Sequence, residues 1–471
     1  MQVLGVSSVT VRSVVTKRTV TDHSDTGFGP QEQHIKTVKP HLSRERITDA
    51  AFSAWGRTHF SQTSLVLVAK QLGVTKPALY RYFRSKEELT YAMDSDYAMR
   101  LRDFVVLPLR ARTADHRTIS SDPARLREVV QLYFESVFTF FDEHPYHYLY
   151  FIRTLLGRRA RSNSPVHDIL RQHDALLLDL IDDGSGRVAE QKLLMIARYI
   201  TTAAAFWTTE HYRSDALSQS QPTFIFEPER SQLNGEQQRE LITSGTKHVI
   251  NGFLASSAEI DAEPVERIAW IQPEEIRERH RIFDAITETV LQVGYGAATV
   301  ERIAQRADLS KSGLYHYFTN KDDMLAQNLL DNQRHFAALA RTRFAQLDTH
   351  PHRLYGLFVM IASYAHHDPS TIIVENWLRE SNVEVSLPPE QILEIQHIYA
   401  FVSEMLVEGQ LAGNPDQGFA VLTYINFLVM QEMAGIAEHN FRKERIITRI
   451  RTLYNLFADG VAAALYDQGA E

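Results

Sequence analysis

The feature that most constrains this chain is that it repeats itself. Residues 47–89 align with residues 282–324 at a constant offset of 235 and without a gap. Ile47, Asp49 and Ala50 meet Ile282, Asp284 and Ala285, and Ala69 meets Ala304. Lys76, Leu79, Tyr80, Tyr82, Phe83 and Lys86 meet Lys311, Leu314, Tyr315, Tyr317, Phe318 and Lys321. Conservative pairs lie between them, such as Val68 with Ile303, Val74 with Leu309 and Thr75 with Ser310. Six identities in eleven positions with their spacing intact mark a tandem duplication. The 471 residues are therefore two copies of one unit of roughly 200 residues, not several unrelated domains.

Composition narrows what such a unit can do. With 50 Lys+Arg against 58 Asp+Glu the net charge is −8, so any contact with nucleic acid has to come from a local basic patch. Cysteine is absent, which excludes a disulfide scaffold, a thiolate metal site and a cysteine nucleophile. The longest apolar run, Val421–Met430, is interrupted by Thr423 and Asn426 and falls short of the ~18 residues that read as a membrane span. A soluble, cytoplasmic protein is expected. Residues 1–41 show no period, and their Arg12, Lys17, Arg18, Lys36 and Lys39 outnumber Asp22, Asp25 and Glu32. They read as a disordered leader, a basic arm that touches DNA phosphates, or an over-extended start.

Within the repeated stretch the pattern is helical. Ile47, Ala50, Ala51 and Ala54 form the i, i+3, i+4, i+7 stripe of an amphipathic helix over Arg44–Trp55. Thr63 and Ser64 offer a cap for a short second helix, Leu65–Leu72, that ends at Gly73. Thr75 caps a third helix over Lys76–Tyr82, and Ser85-Lys86-Glu87-Glu88 reads as a capping box opening a long fourth one. Thr299, Ser310 and Asn320 hold the matching cap positions in the second copy. Two short helices joined by a tight turn at Gly73-Val74 predict a helix-turn-helix, and an all-α fold is expected throughout.

The strings Ser64-Leu-Val-Leu-Val-Ala69, Leu72-Gly-Val-Thr-Lys-Pro-Ala-Leu-Tyr-Arg-Tyr-Phe83 and Lys86-Glu-Glu-Leu89 resemble the tetracycline-repressor (TetR/AcrR) family of transcriptional regulators. So do Thr299-Val-Glu-Arg-Ile-Ala304, Asp308-Leu-Ser-Lys-Ser-Gly-Leu-Tyr-His-Tyr-Phe318 and Lys321-Asp-Asp-Met324. The specific part is the Leu-Tyr-x-Tyr-Phe-x-x-Lys run, which occurs twice, and the match covers about 50 residues per copy. Leu79 and Phe83, one helical turn apart, face inward, as do Leu314 and Phe318. Thr75, Lys76, Pro77, Ala78 and Arg81 lie on the exposed start of the recognition helix, which enters the major groove in such motifs. The equivalent positions are Ser310, Lys311, Ser312, Gly313 and His316, with Thr63 and Thr299 at the start of the preceding helix. The resemblance implies that Tyr80, Tyr82 and Lys86, and likewise Tyr315, Tyr317 and Lys321, take the backbone-contact positions.

The resemblance also sets the division of the chain: a leader 1–41, headpieces 42–90 and 274–325, helical ligand-binding and dimerisation domains 91–256 and 326–471, and a linker 257–273. In the first copy helices are expected near 85–112, 124–142, 145–157, 165–182, 188–212 and 237–255. In the second they are expected near 320–347, 351–367, 369–380, 388–411, 415–438 and 442–466. Aromatic residues are dense in both, and a small hydrophobic effector is expected against Phe138, Phe141, Tyr148, Phe206 and Trp207 or against Tyr364, Trp377, Tyr424 and Phe427. For any single one of these a place in a filled core is the competing reading. The last two helices of each unit correspond to the family's dimerisation bundle, so one chain forms a pseudo-dimer or a homodimer displaying four headpieces.

The two copies differ in charge. Residues 63–86 carry Lys70, Lys76, Arg81, Arg84 and Lys86 with no acid, whereas 298–321 set Arg302, Arg306, Lys311 and Lys321 against Glu301 and Asp308. Asp308 also replaces the turn glycine, at some strain. His144, His147, His366 and His367, with Asp142 and Asp368, flank Pro145 and Pro369 and read as capping and turn residues. No metal, cofactor or catalytic motif is expected. The function expected is a sequence-specific, ligand-responsive repressor that binds a double-stranded DNA operator. The alternative is a ligand-binding or adaptor module in which only the first headpiece, or neither, binds DNA.

Overall fold

Among the described residues the periodic apolar stripes become helices in the structure, a computed structural model, while the helix expected near 369–380 lies largely outside them. The structure describes residues 42–57, 65–113, 119, 122–151, 165–182, 186, 188–212, 235–255, 260–276, 281–293, 298–315, 321–369, 371–372, 389–413, 417–436 and 441–466. The expected leader, and Thr63, His316, Tyr317 and Trp377, lie outside these residues. The first unit comprises α1 (Arg44–Arg57), α2 (Leu65–Gln71), α3 (Lys76–Tyr80), α4 (Lys86–Leu101), α5 (Leu107–Arg112), α6 (Pro123–Glu143), α7 (Pro145–Tyr150), α8 (Pro165–Ile181), α9 (Glu190–Tyr212) and α10 (Gly235–Asn251). After α11 (Ala262–Ala269) the second unit runs α12 (Arg281–Val293), α13 (Val300–Arg306), α14 (Lys311–Tyr315), α15 (Lys321–Phe344) and α16 (His350–His367). It ends with α17 (Pro389–Ile398), α18 (Ala400–Val407), α19 (Gly418–Ile436) and α20 (Lys443–Tyr466). Among the described residues no helix is long and apolar enough to cross a membrane.

One helix expected over 85–112 is instead α4 and α5 joined by a π-helical turn, Arg102–Val106. Pro108 sits in the first turn of α5 and has no N–H to donate to the carbonyl four residues back. The chain widens by one residue there, and Leu107 N donates to Arg102 O.

The stretch expected as a linker holds a helix. Along α11, Ala262, Val265, Ile268 and Ala269 recur at helical spacing, and Val265 and Ala269 are buried where α11 packs on α16. Glu266, also buried, accepts from Arg451 at 2.7 and 2.9 Å and from the Tyr355 hydroxyl. Ile271 N donates to Ser363 Oγ at 3.1 Å, Lys443 lies over the Trp270 ring, and Arg343 reaches both oxygens of Glu275 at 2.6 Å. Its acidic, proline-containing composition concealed an amphipathic helix whose buried Glu266, like Glu275 after it, is answered by an arginine of the second unit.

The two units meet in a bundle formed within the chain. Helix α10 packs on α20, and α9 packs on both α19 and α20. Phe206 of α9 lies 4.7 Å from the Tyr424 ring and 6.0 Å from Phe427, both on α19. Phe253 stacks on Phe457 at 4.6 Å. Gly252 and Gly460 sit at the crossing with φ of +75° and +78°. A Cβ on Gly252 would lie 2.1 Å from Ala458 O, and one on Gly460 would lie 2.3 Å from Ile250 O. Gly460 breaks the helical backbone of α20, and Phe253 N and Leu254 N donate to the carbonyls of Phe457 and Ala458, each at 2.9 Å. Beyond that crossing, Leu254 forms an antiparallel bridge with Leu411.

One continuous core runs from Ile47 to Leu465 and takes in the first headpiece through Ile47, Phe52, Leu79 and Phe83. The buried side chains of the second headpiece, among them Ile282, Ile286, Ile303 and Leu314, are not part of it.

Candidate nucleic-acid interface

The turn between α2 and α3 is built as the sequence requires. Val74 N donates to Ala69 O at 2.9 Å, the long bond of a Schellman motif, with Gly73 at φ +65°. The second copy repeats it: Leu309 N donates to Ala304 O at 2.9 Å. Asp308 holds the left-handed position at φ +55°, the one non-glycine residue with positive φ among the described residues. The same backbone scaffold therefore presents α3 and α14. Leu79, Phe83 and Leu314 are buried and fix these helices to their headpieces.

On the first copy Thr75, Lys76, Pro77, Tyr80 and Arg81 are exposed and Ala78 is half-buried. Lys76 lies 5.6 Å above the Tyr80 ring, and among the described residues Lys70, Lys76 and Arg81 form no ion pair. Thr75 stands at the cap position but its hydroxyl makes no capping bond. Pro77, the second residue of α3, has no N–H to offer it, and Ala78 N donates instead to the Thr75 carbonyl at 2.9 Å. The hydroxyl is left to face solvent with the basic side chains.

Tyr82 behaves differently from Tyr80. Its ring is half-buried and its hydroxyl donates to Leu42 O at 2.7 Å, so it anchors the chain entering α1. Lys86 is half-buried at the start of α4. The expected capping box there is shifted by one residue: Ser85 Oγ accepts from Glu88 N at 3.2 Å, but Glu88 Oε2 accepts from Arg84 N at 2.7 Å. That bond, with help from Arg44, holds the Glu88 carboxyl below its usual range. Arg44 also stacks 4.2 Å from the Phe83 ring centre and donates to Tyr82 O.

The second copy is wired otherwise. Ser310 Oγ accepts from Gly313 N at 2.9 Å and lies 3.0 Å from Ser312 Oγ, so α14 is capped where α3 is not. Lys311 pairs with Glu301 and Arg306 pairs with Glu288 at 3.0 Å. Glu301 occupies the repeat position of Val66, which is 52% exposed, so an exposed apolar residue on one copy is a carboxylate beside the recognition lysine on the other. The Lys311 hydrogen bond holds that carboxyl below its usual range. Sequence comparison of the copies shows the acid but not its partner ten residues on. Thr299 caps α13 by accepting from Arg302 N at 3.3 Å, and Tyr315 is exposed. Lys321 is the first residue of α15.

Behind the first headpiece lies a network that sequence reasoning missed. Arg100 donates to Asp96 at 2.8 Å and to Asp49 of α1 at 3.3 Å. The His147 ring is hydrogen-bonded to Asp96 at 2.8 Å and stacks on Phe52 at 3.9 Å. Burial raises the Asp96 carboxyl, but the bonds from His147 and Arg100 outweigh it and leave the group below its usual range. Burial lowers both histidines, His144 to about 4 with Arg100 adding to the effect. His144 also terminates α6 and precedes α7, the turn role expected of it. Its only legible signal was the matched His and Pro residues of the two copies.

The expected effector residues sit in packed surroundings. Phe138, Phe141, Tyr148, Phe206, Tyr364, Tyr424 and Phe427 are buried, and Trp207 is partly so with its ring stacked on His248 at 5.5 Å. Phe206, Tyr424 and Phe427 join the two units to each other. A cavity of about 700 Å³ opens elsewhere, between α15, α16, α17 and α18, where Phe344, Leu393, Ile398 and Phe401 share the lining with Arg341, Arg353, Glu390, Glu394, His397 and Glu404. None of the expected aromatic residues lines it.

Comparison with known proteins agrees with this geometry. The family of bacterial regulatory proteins of the tetR type matches at two places, residues 47–93 and 282–327. The chain is 30% identical over 122 residues to the HTH-type transcriptional regulator BetI of Paraburkholderia phytofirmans, covering 26% of this chain and 60% of that protein. It is 32% identical over 105 residues to BetI of Burkholderia thailandensis, covering 22% and 52%. The matches thus span little more than half the length of these relatives. Among solved structures, the fatty acid degradation regulator FadR from Bacillus halodurans aligns with 39% of this chain and 98% of its own at 17% identity and a TM-score of 0.31. The two matches to the tetR family of bacterial regulatory proteins fall on the two headpieces built above, so a segment similar to that family's occurs twice in one polypeptide.

Proposed function

We propose that the protein is a sequence-specific DNA-binding transcriptional regulator, a ligand-responsive repressor whose two headpieces act as an intrachain pseudo-dimer on one double-stranded operator. The observation that carries this is the exposed face of α3. Lys76, Tyr80 and Arg81 stand there with no acidic partner among the described residues on a hydrogen-bonded turn, and a second copy of that turn is present on the same chain. Such a face supplies phosphate neutralisation and base-edge donors together. The bundle of α9 and α10 with α19 and α20 supports the pseudo-dimer, because it pairs the last helices of one unit with those of the other within a single chain.

The test is a mobility-shift titration with duplex DNA from upstream of the protein's own gene at several salt concentrations, alongside light scattering of the complex. Tight binding that weakens steeply with salt, by one chain per operator, is the expected result. Binding by two chains per operator would replace the pseudo-dimer with a homodimer showing four headpieces, and no salt-dependent shift would leave the adaptor reading. For the ligand response, the support is the apolar side of the second unit's cavity, Phe344, Leu393, Ile398 and Phe401, and Phe401→Glu should abolish release of DNA by any compound that acts there.

A further inference from the structure

The two recognition surfaces share a scaffold and differ in chemistry. Both turns place a left-handed residue at the same repeat position and close with the same 2.9 Å bond, so α3 and α14 leave their turns alike. What they present is not alike. The first offers an unbonded Thr75 hydroxyl, the apolar Pro77 and Ala78, the exposed apolar Val66, and the cations Lys76 and Arg81. The second offers hydroxyls of Ser310 and Ser312 already bonded to the helix or to each other, Gly313, and Lys311 tied to the Glu301 carboxylate. At the position of Arg81 the second copy carries His316.

Each of these differences changes what a base edge can answer. An arginine suits guanine O6 and N7 in a two-pronged contact, and small apolar groups suit the thymine methyl. A carboxylate such as Glu301 accepts from the amino group of cytosine, while serine hydroxyls pair with either donors or acceptors. In a regulator made of two identical chains the two-fold axis makes the half-sites the same sequence, and the operator mirrors that symmetry. Here the axis is broken by covalent structure. One molecule always carries one headpiece of each kind, and the glycine crossing of α10 and α20, with the Leu254–Leu411 bridge, fixes one unit of each kind against the other.

We infer that this chain reads a non-palindromic operator made of two unlike half-sites, bound in one fixed orientation. The inference rests on the DNA-binding reading proposed above and names the class of site that reading requires. The half-site under α3 is the stronger one, since residues 63–86 carry cations and no acid whereas Lys311 is already countered. A site without dyad symmetry also gives the bound protein a polarity relative to the direction of transcription, which a palindrome cannot.

The experiment is selection of the whole chain on a pool of random duplex DNA at fixed salt, followed by titration of three duplexes. These are the selected site, a palindrome of its α3 half and a palindrome of its α14 half. The selected consensus should lack dyad symmetry. The composite site should bind at least about tenfold tighter than the α3 palindrome and more tightly still than the α14 palindrome, from the loss per mismatched base pair. A second variant keeps the test independent of any single contact. With E301V, S312P, G313A and H316R together, the second headpiece takes on the first one's side chains, and the preferred duplex should become the α3 palindrome with overall affinity retained. A symmetric consensus, a consensus covering one half-site only, or equal affinity for the composite and the α3 palindrome would overturn the inference. Absence of any enriched sequence would instead overturn the DNA-binding reading beneath it.

Discussion

The first headpiece is joined to its helical domain by side chains that cross the boundary, whereas among the described residues the helix pairs that pack in the second are those of the headpiece itself. In the first, Phe52 of α1 packs on His147 and Tyr150, Asp49 meets Arg100, and the buried residues belong to the main core. In the second, α12 packs on α13 and α13 on α14, and its buried residues stand apart from that core. The repeat partner of Phe52 is Thr287, whose hydroxyl donates to Phe283 O of its own helix at 3.0 Å. Duplication kept the turn and the recognition geometry in both copies while allowing the attachment behind them to diverge. The shape of the turn and the way a headpiece is attached are thus separable features of one fold.

The largest expected effect breaks that attachment. Phe52→Ala should cost about 3–5 kcal/mol of local stability, the range for truncating a buried aromatic. Thr287→Ala should cost about 1 kcal/mol or less, since it removes a single hydroxyl bonded within its own helix. Amide hydrogen exchange of α1 to α4 and of α12 to α14 in the two variants gives the comparison. Equal losses of protection would show that the headpieces are attached alike.

Next in size is the effect on DNA affinity. Lys76→Glu should weaken binding by roughly 10- to 100-fold, the consequence of losing and reversing an uncompensated cation at the interface. Lys311→Glu should weaken it less, because Glu301 already offsets that charge. Glu301→Ala should tighten binding and steepen the salt dependence by releasing Lys311. Affinity measured across a salt series checks all three, and a larger loss at Lys311 would reverse the ranking of the headpieces.

A smaller contrast lies in the turns. Gly73→Ala should cost about 1–2 kcal/mol, since a Cβ at φ +65° carries the left-handed penalty although nothing else crowds it. Asp308→Gly should stabilise the second turn by up to about 1 kcal/mol, relieving the same penalty at the matching position. Opposite signs for the two substitutions, read from thermal unfolding, are the expected outcome.

Much of this architecture was legible in residues 47–89 and 282–324 because turn chemistry is local. A positive φ, a cap and an i, i+4 pair of inward side chains each depend on neighbours within about one helical turn. The helix over Ala262–Ala269 escaped because acidic residues and Pro264 suggested a linker, while the groups that answer them, Arg451 and Tyr355, lie far along the chain. The resemblance gives Tyr80 and Tyr82 the same role, and only folding shows that the Tyr82 hydroxyl meets Leu42 O while Tyr80 stays exposed. The aromatic residues of the helical domains gave no means of telling a ligand cavity from a packed core. Density of rings is the same signal for both, and here Phe206, Tyr424 and Phe427 close the junction between units.

The least effect expected, and the one most specific to the network behind the first headpiece, is a dependence on pH. His144 and His147 sit among Asp49, Asp96 and Arg100, and burial lowers both rings, His144 from 6.5 to about 4. They are therefore neutral in the folded protein when the unfolded chain has begun to take up protons. Stability is fully present above the unfolded value and declines as the pH falls from about 6.5 towards 4. Because the His144 ring is half-exposed, solvent screening holds its share to about 1 kcal/mol or less. Asp96, held low, adds to the loss only at lower pH, and Asp49, raised by burial, opposes it there. The described residues of α12 to α14 contain no histidine. Hydrogen exchange corrected for intrinsic rates should thus show protection of α1 and α4 falling between pH 7 and 5 while that of α12 and α13 holds. A parallel decline in both headpieces would place the titration in the shared bundle, where His248 is also buried, and not in the contacts that bind the first headpiece to its domain.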